Sequence, residues 1–148
     1  LESSDPDILK AMNKKISVED FVTQTRLMQS VGISTRTSLV FGYPQETPET
    51  INATINCCIE NKMYPSVGFL LPQPGSAMYD YAIEKGIITD GEKYILGMGD
   101  RQDLFINLTS MSDKEFKDTV YNALKRCNKE LNTKLSEDDL IKTKNKAI

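Results

Sequence analysis

Read for where apolar residues recur, the chain alternates between two periods. From Thr35 to Phe41 polar Arg36 and Ser38 alternate with Leu39 and Phe41, the period of two that a strand buried on one face shows. After Gly42 the period lengthens. Ile51, Ile55, Cys58 and Ile59 recur at helical spacing, and Asn52, Asn56, Glu60 and Lys62 take the opposite face. Between them Gly42-Tyr43-Pro44-Gln45 reads as a turn. Glycine permits a backbone angle closed to other residues, and proline fixes its own angle and lacks a donor. Thr47 then caps a helix opened by Pro48, with Glu46 and Glu49 at its positive end.

The same unit recurs on both sides. Leu1 to Ser4 reads as the tail of a strand. Asp5 caps a short helix with Pro6 first and Ile8, Leu9 and Met12 on one face. Ser17 opens a second helix with Phe21, Val22, Thr25 and Met28 expected inside, ended by Gly32. Ser66 to Leu71 is a short apolar run suited to a buried parallel strand, and Gly68 within it leaves room for a close approach. Pro72 to Ser76 makes the next turn. Ser76 caps a helix with Met78, Tyr79, Ala82 and Ile83 inside and Gly86 as its stop. Residues 87–103 carry three glycines and little periodicity, so an irregular connection is expected there, and Leu104 to Leu108 is expected as a last strand. Ser112 and Glu115 form a capping box ahead of the stripe Phe116, Val120, Leu124, Cys127 and Leu131. Residues 133–148 read as a polar, flexible tail or a short helix around Leu140 and Ile141. Strand, turn and helix thus return at about 30-residue intervals, as in βαβ folds.

Composition narrows the function classes. With 148 residues, 39% hydrophobic and 26% charged, the chain has room for one core. A net charge of −3 without a basic cluster argues against nucleic acid as partner, and no apolar run approaches the roughly 18 residues of a membrane span. The chain has no histidine, and Cys57, Cys58 and Cys127 have neither disulfide nor cluster-ligand spacing. Cysteine use of this kind suits a reducing compartment and a cytoplasmic location. Two glycosylation tripeptides, at Asn52 and Asn107, would then stay bare. A strand delivering a shaped turn into a helix is where α/β proteins place ligands, because it presents backbone donors at the carboxyl ends of strands. An ordinary βα turn without a ligand fits the same spacing.

One set of signatures is more specific. Leu1-Glu2-Ser3-Ser4-Asp5 through Leu9, Met12-Asn13-Lys14, Gly32-Ile33, Arg36, Phe41 to Thr47 and Pro72 to Ser76 follow one another in an order and separation that resembles the C-terminal half of a radical S-adenosylmethionine (SAM) barrel. The resemblance covers about Leu1 to Gly86. It implies an α/β fold, the later portion of a partial (β/α)6 TIM-like barrel, with SAM laid across the carboxyl ends of parallel strands. It places Glu2 in the G-x-E element near the ribose and amino group of SAM. It matches the central strand to a G-x-I-x-G-x-x-E element, with Ser38 at the first glycine, Val40 at the adenine-contacting isoleucine, Gly42 at the second glycine and Gln45 at the acid. Ser38 and Gln45 depart from that pattern. Leu71 and Pro72 fall where family members hold adenine through backbone groups.

The resemblance further implies a [4Fe-4S] cluster held by a C-x-x-x-C-x-x-C loop, which would lie upstream of Leu1. The chain then reads as a fragment, residues 1–132 belonging to the barrel and its last helix, that carries no iron and cleaves no SAM by itself. Its parent would reduce SAM to a 5′-deoxyadenosyl radical acting on a small-molecule substrate. The Pro72 to Ser76 turn and the stretch from Gly99 to Glu115 resemble the cobalamin-binding branch that includes oxidative cyclases of magnesium-protoporphyrin monomethyl ester, which implies cobalamin as a further cofactor of the parent. A non-catalytic α/β binding or scaffold domain with a borrowed fold is the alternative from another class. Arg36, on the face of Ser38 and Val40, is expected in the lumen with a carboxylate partner, either from ligand or from Glu2. An open lumen face would be relieved by a homodimer or by residues 87–103 folding across it, and the homodimer is the favoured expectation.

Overall fold

The computed structural model describes residues 1–100 and 103–141. Its elements are helix α1 (Pro6–Ala11), α2 (Val18–Ser30), strand β1 (Ser38–Phe41), α3 (Pro48–Glu60), strand β2 (Ser66–Phe69), α4 (Ala77–Glu84), α5 (Gly91–Gly97) and α6 (Asp113–Leu131). The protein is α/β. Local sequence explains where each helix starts, because an oxygen side chain accepts a first-turn N–H at every one of them: Asp5, Ser17, Thr47, Ser76, Asp90 and Ser112. Pro6 and Pro48 hold the first helical positions of α1 and α3, where a missing donor costs nothing.

β1 and β2 pair in parallel with Ser38 opposite Ser66, Leu39 opposite Val67, Val40 opposite Gly68 and Phe41 opposite Phe69. A third extended segment lies along the other edge of β1. The N–H of Val40 donates to the Glu2 carbonyl at 3.2 Å and the Thr37 hydroxyl to the Leu1 carbonyl at 2.9 Å, so the two chains run in the same direction. Sequence order therefore equals spatial order across residues 1–3, β1 and β2.

One face of this sheet is the core. Leu39 and Phe41 from β1 and Val67 and Phe69 from β2 pack with Ile51, Ile55 and Cys58 of α3 and Phe116, Val120, Leu124 and Cys127 of α6. Phe69 meets Phe116 edge to face, with centroids 5.4 Å apart. Arg126 of α6 ties the two helices on their outer side, donating to Asn56 at 2.6 Å and Asn52 at 3.2 Å.

Several expectations from sequence are corrected. Residues 87–103 are not an irregular connection throughout, because Asp90 accepts from the Lys93 N–H at 3.0 Å and starts α5. Ile88 and Tyr94 there join Ala82 and Leu108 in a second small core beside α4. Leu104 to Leu108 forms no strand: Asn107 spends its side chain on Thr109, Met111 and Asp113, shaping a loop into α6 instead. In α2 Thr25 is buried, but Phe21 and Val22 are half-buried and Met28 exposed. Ile83 of α4 is likewise exposed. The expected tail divides at 141. Residues 133–141 fold back onto α6, where Leu140 is buried in the main core, the Tyr64 hydroxyl donates to its carbonyl, and Glu137 pairs with Lys125. The remainder, 142–148, lies outside the described residues, as do Arg101 and Gln102 of the expected 87–103 connection. Among the described residues no helix is long and apolar enough to cross a membrane.

Candidate functional site

The parallel order puts three loop entries side by side at the carboxyl ends of the extended segments: Ser3 to Asp5, Gly42 to Thr47, and Leu70 to Ser76. Gly42 has φ 124, a conformation that L side chains rarely adopt, and a Cβ built on it would stand 3.1 Å from the Leu70 Cβ. The Leu70 N–H donates to the Phe41 carbonyl at 2.7 Å. Gly42 is therefore the point where the first turn touches the second.

Its own N–H is taken. It donates to Oε2 of Glu46 at 2.7 Å, closing the turn into a ring. Glu46 is buried to 1% exposure, and its other oxygen, Oε1, has no hydrogen-bond partner among the described residues. Burial pushes the Glu46 carboxyl up to about 8; the Gly42 N–H works against that shift and the nearby charge of Asp5 adds to it. The rest of the turn is equally self-contained. The Glu46 N–H donates to the Tyr43 carbonyl, Thr47 and Thr50 exchange a capping box, and so the entry to α3 offers no free anion cradle at these donors. The expectation of unpaired donors at this turn is corrected accordingly: the chain supplies its own carboxyl there.

The sequence-derived site residues divide by position. Val40 is half-buried on the face opposite the core, between Glu2 on one side and Gly68 on the other. Glu2 projects a carboxylate that pairs with Lys14 at 2.9 Å, and the same two charges act on half-buried Tyr43, whose hydroxyl is raised first by burial and further by Glu2. Leu71 is half-buried and Pro72 buried. The Pro72 carbonyl accepts from the Tyr94 hydroxyl at 2.9 Å, so α5 is latched over the second turn. Glu2, Val40, Gly42, Leu71 and Pro72 thus gather around the two turns.

Ser38 and Arg36 do not. Ser38 is exposed at the start of β1, opposite Ser66. Arg36 is exposed too, and lies six positions before Gly42, a reach of up to about 20 Å along the chain. It shares the parity of Ser38 and Val40 but not their burial, so the buried guanidinium expected there is absent, and Glu2 has Lys14 as its partner instead. Glu46 was missed as a site residue because the acid was sought at Gln45. The sequence held one usable sign: Glu46 is the sole acid between Gly42 and the helix-opening Pro48.

The cysteines make no metal centre. Burial raises the Cys58 thiol to about 12 and the Cys127 thiol to about 11, far from the thiolates a cluster needs, and no group of three ligating side chains converges among the described residues. The residues present do not fit an iron–sulfur cluster.

No family model matches the chain. It is similar to an uncharacterized methyltransferase of Pyrococcus horikoshii, 27% identical over 89 residues, which is 60% of this chain and 19% of that protein's length. The chain thus spans about a fifth of the relative it matches.

Proposed function

We propose that this chain is the SAM-facing later portion of a radical SAM barrel in a methyltransferase-like enzyme. The observation that carries the reading is the sequential parallel order of residues 1–3, β1 and β2, with their entry turns gathered at one end. Sequential parallel order is what a barrel has throughout; each half of a doubly wound sheet shares it, so the order supports the barrel reading together with the motif resemblance. The likeness to a methyltransferase-named protein agrees with use of SAM.

In this reading the ligand lies on the open face. Val40, flanked by Gly68, offers an apolar floor without a side chain opposite it, as a flat base requires. Gly42 and Leu70 set the rim, and the Leu71-Pro72 backbone, held by Tyr94, forms the second wall. Glu2 and Lys14 present one charge of each sign beside Val40, matching the paired carboxylate and ammonium of an amino acid group. SAM supplies the reactive carbon when bound. The chain's residues orient it and exclude water from one side. The [4Fe-4S] cluster of the parent would be held by an upstream C-x-x-x-C-x-x-C loop, since the cysteines here do not fit it, and cobalamin would be held by a further domain of the parent.

The test is to extend the reading frame upstream of Leu1. A C-x-x-x-C-x-x-C loop should be encoded there, and the extended protein, reconstituted anaerobically with iron and sulfide, should release 5′-deoxyadenosine from SAM under a strong reductant. An upstream sequence without the cysteine loop would leave the non-catalytic α/β binding domain as the reading.

A further inference from the structure

Glu46 is a buried acid whose two oxygens are treated differently. Oε2 receives the Gly42 N–H, and Oε1 is enclosed with no donor near enough to bond it. An ionised carboxylate in that position would leave charge on an oxygen closed to bulk solvent and bonded by no donor among the described residues, a cost far above that of an unbonded neutral hydroxyl. With the proton on Oε1, Oε2 becomes the carbonyl oxygen that the Gly42 N–H needs. The geometry therefore selects the neutral acid.

Its surroundings reinforce the choice. From α1 the charge facing it is Asp5, itself occupied in capping the Asp7 and Ile8 N–H groups. From α3, Glu49 is exposed and engaged with Thr47. In the turn itself Tyr43 stands beside the Glu2–Lys14 pair. Asp5 is the one of these charges that acts on Glu46, and it opposes a second negative charge.

We propose that Glu46 is a positioning residue for ligand binding at the carboxyl ends of β1 and β2, holding the Gly42 turn in its binding shape as a neutral carboxylic acid and loosening it on ionisation. The proposal rests on the SAM reading for the identity of the ligand. Gly42 is the joint through which Glu46 acts, since it is clasped between the Glu46 carboxyl and Leu70 at the rim of the open face. When the proton leaves Oε1, two negative groups and one unsolvated oxygen can be relieved by the turn opening to admit water. Opening moves Gly42 away from Leu70 and breaks the rim. Ligand affinity should accordingly fall across the ionisation of one internal acid, although that acid never touches the ligand.

The experiment uses the 148-residue chain. Its side-chain carboxyl carbon at Glu46 and its Gly42 amide are followed by NMR from about pH 6 to about pH 9.5, bracketing the raised value near 8. Both should titrate together, and in Glu46→Gln, which keeps a carbonyl for Gly42, the amide should stay flat. SAM binding is measured at the two ends of that range. The unaltered chain should lose about fivefold or more in affinity, the scale of coupling between two conformations, and Glu46→Gln should lose only what the ligand's own amino group causes. A Glu46 carbon that titrates at an ordinary carboxylate value overturns the proposal without any variant, and equal losses in both proteins overturn the coupling. Titration of Gly42 with no SAM binding at any pH instead overturns the SAM reading, and the positioning role with it.

Discussion

The two faces of the β1–β2 sheet are built by the same eight residues and end in opposite situations. Leu39, Phe41, Val67 and Phe69 all point one way and are buried under α3 and α6. Ser38 and Ser66 point the other way and are exposed, while Val40 is half-buried over Gly68. The covered face has the residue types and the aromatic contact of a core. The other has small and polar residues. The difference separates what makes this chain fold from the face proposed to bind: substitutions on the first face should cost stability, and, on the proposed reading, those around Val40 and Gly68 should cost binding.

The largest expected effect is on the covered face. Phe116 is fully buried against Phe69 and beside Gly42, so Phe116→Ala should destabilise the chain by roughly 3–5 kcal/mol through lost burial and the cavity left behind. Urea unfolding followed by circular dichroism measures it. A loss below about 1 kcal/mol would mean that the site collapses freely and is not a packed core.

Next comes the pH dependence that Glu46 imposes. Its folded value is raised to about 8 from an ordinary 4.5, so between those limits the folded chain binds a proton that the unfolded chain has released. The stability linked to this group is fully present below about pH 4.5, declines as pH rises, and is flat above about 8. The decline should be at most about 5 kcal/mol, and Glu46→Gln should abolish it and be the more stable protein at pH 9. Unfolding midpoints over a pH series decide the matter; identical slopes in both proteins would show that Glu46 ionises as an ordinary surface acid.

Gly42→Ala ranks third. It adds a Cβ 3.1 Å from the Leu70 Cβ at a φ of 124, so both crowding and backbone strain act, for about 2 kcal/mol. Leu70→Gly removes the Cβ that does the crowding and leaves the strain. The double variant should therefore recover part of the loss in a double-mutant cycle, and purely additive losses would show that the two turns do not touch.

What the sequence disclosed follows the same division. Period and capping residues announced α1, α2, α3, α4 and α6, and the alternation from Ser38 to Phe41 separates the covered face from the open one. These are local signals, readable from a few neighbours. α5 escaped because two glycines bound it and no apolar stripe marks it; its stability comes from Tyr94 reaching back to Pro72, a contact 22 residues away. For residues 133–141 the sequence left a flexible tail and a short helix around Leu140 and Ile141 both open; what polarity hid is that Leu140 plugs the core. Near the turns, the end of the strand at Gly42 followed from its residue pattern, whereas the Glu46 contact depends on a side chain turning back four residues to a glycine N–H, which no periodicity encodes. Arg36 shows the opposite error. Parity placed it on the correct face, but only the position of the strand ends reveals that it lies far from the turns.

The smallest expected effects belong to the open face. Arg36 and Ser38 are exposed and join no part of the core, so Arg36→Ala and Ser38→Ala should each change stability by less than about 0.5 kcal/mol. Their interest lies in how that small number responds to concentration. Were two copies to pair through this face, as proposed for an uncovered sheet, residues that are neutral in the monomer would become interface residues in the dimer. Apparent stability of the unaltered chain would then rise with protein concentration, and the variants would fall progressively further behind it. Unfolding curves at a series of concentrations, run beside sedimentation of the same samples, read both effects. Neutral substitutions at every concentration, with a monomer throughout, would remove the dimer.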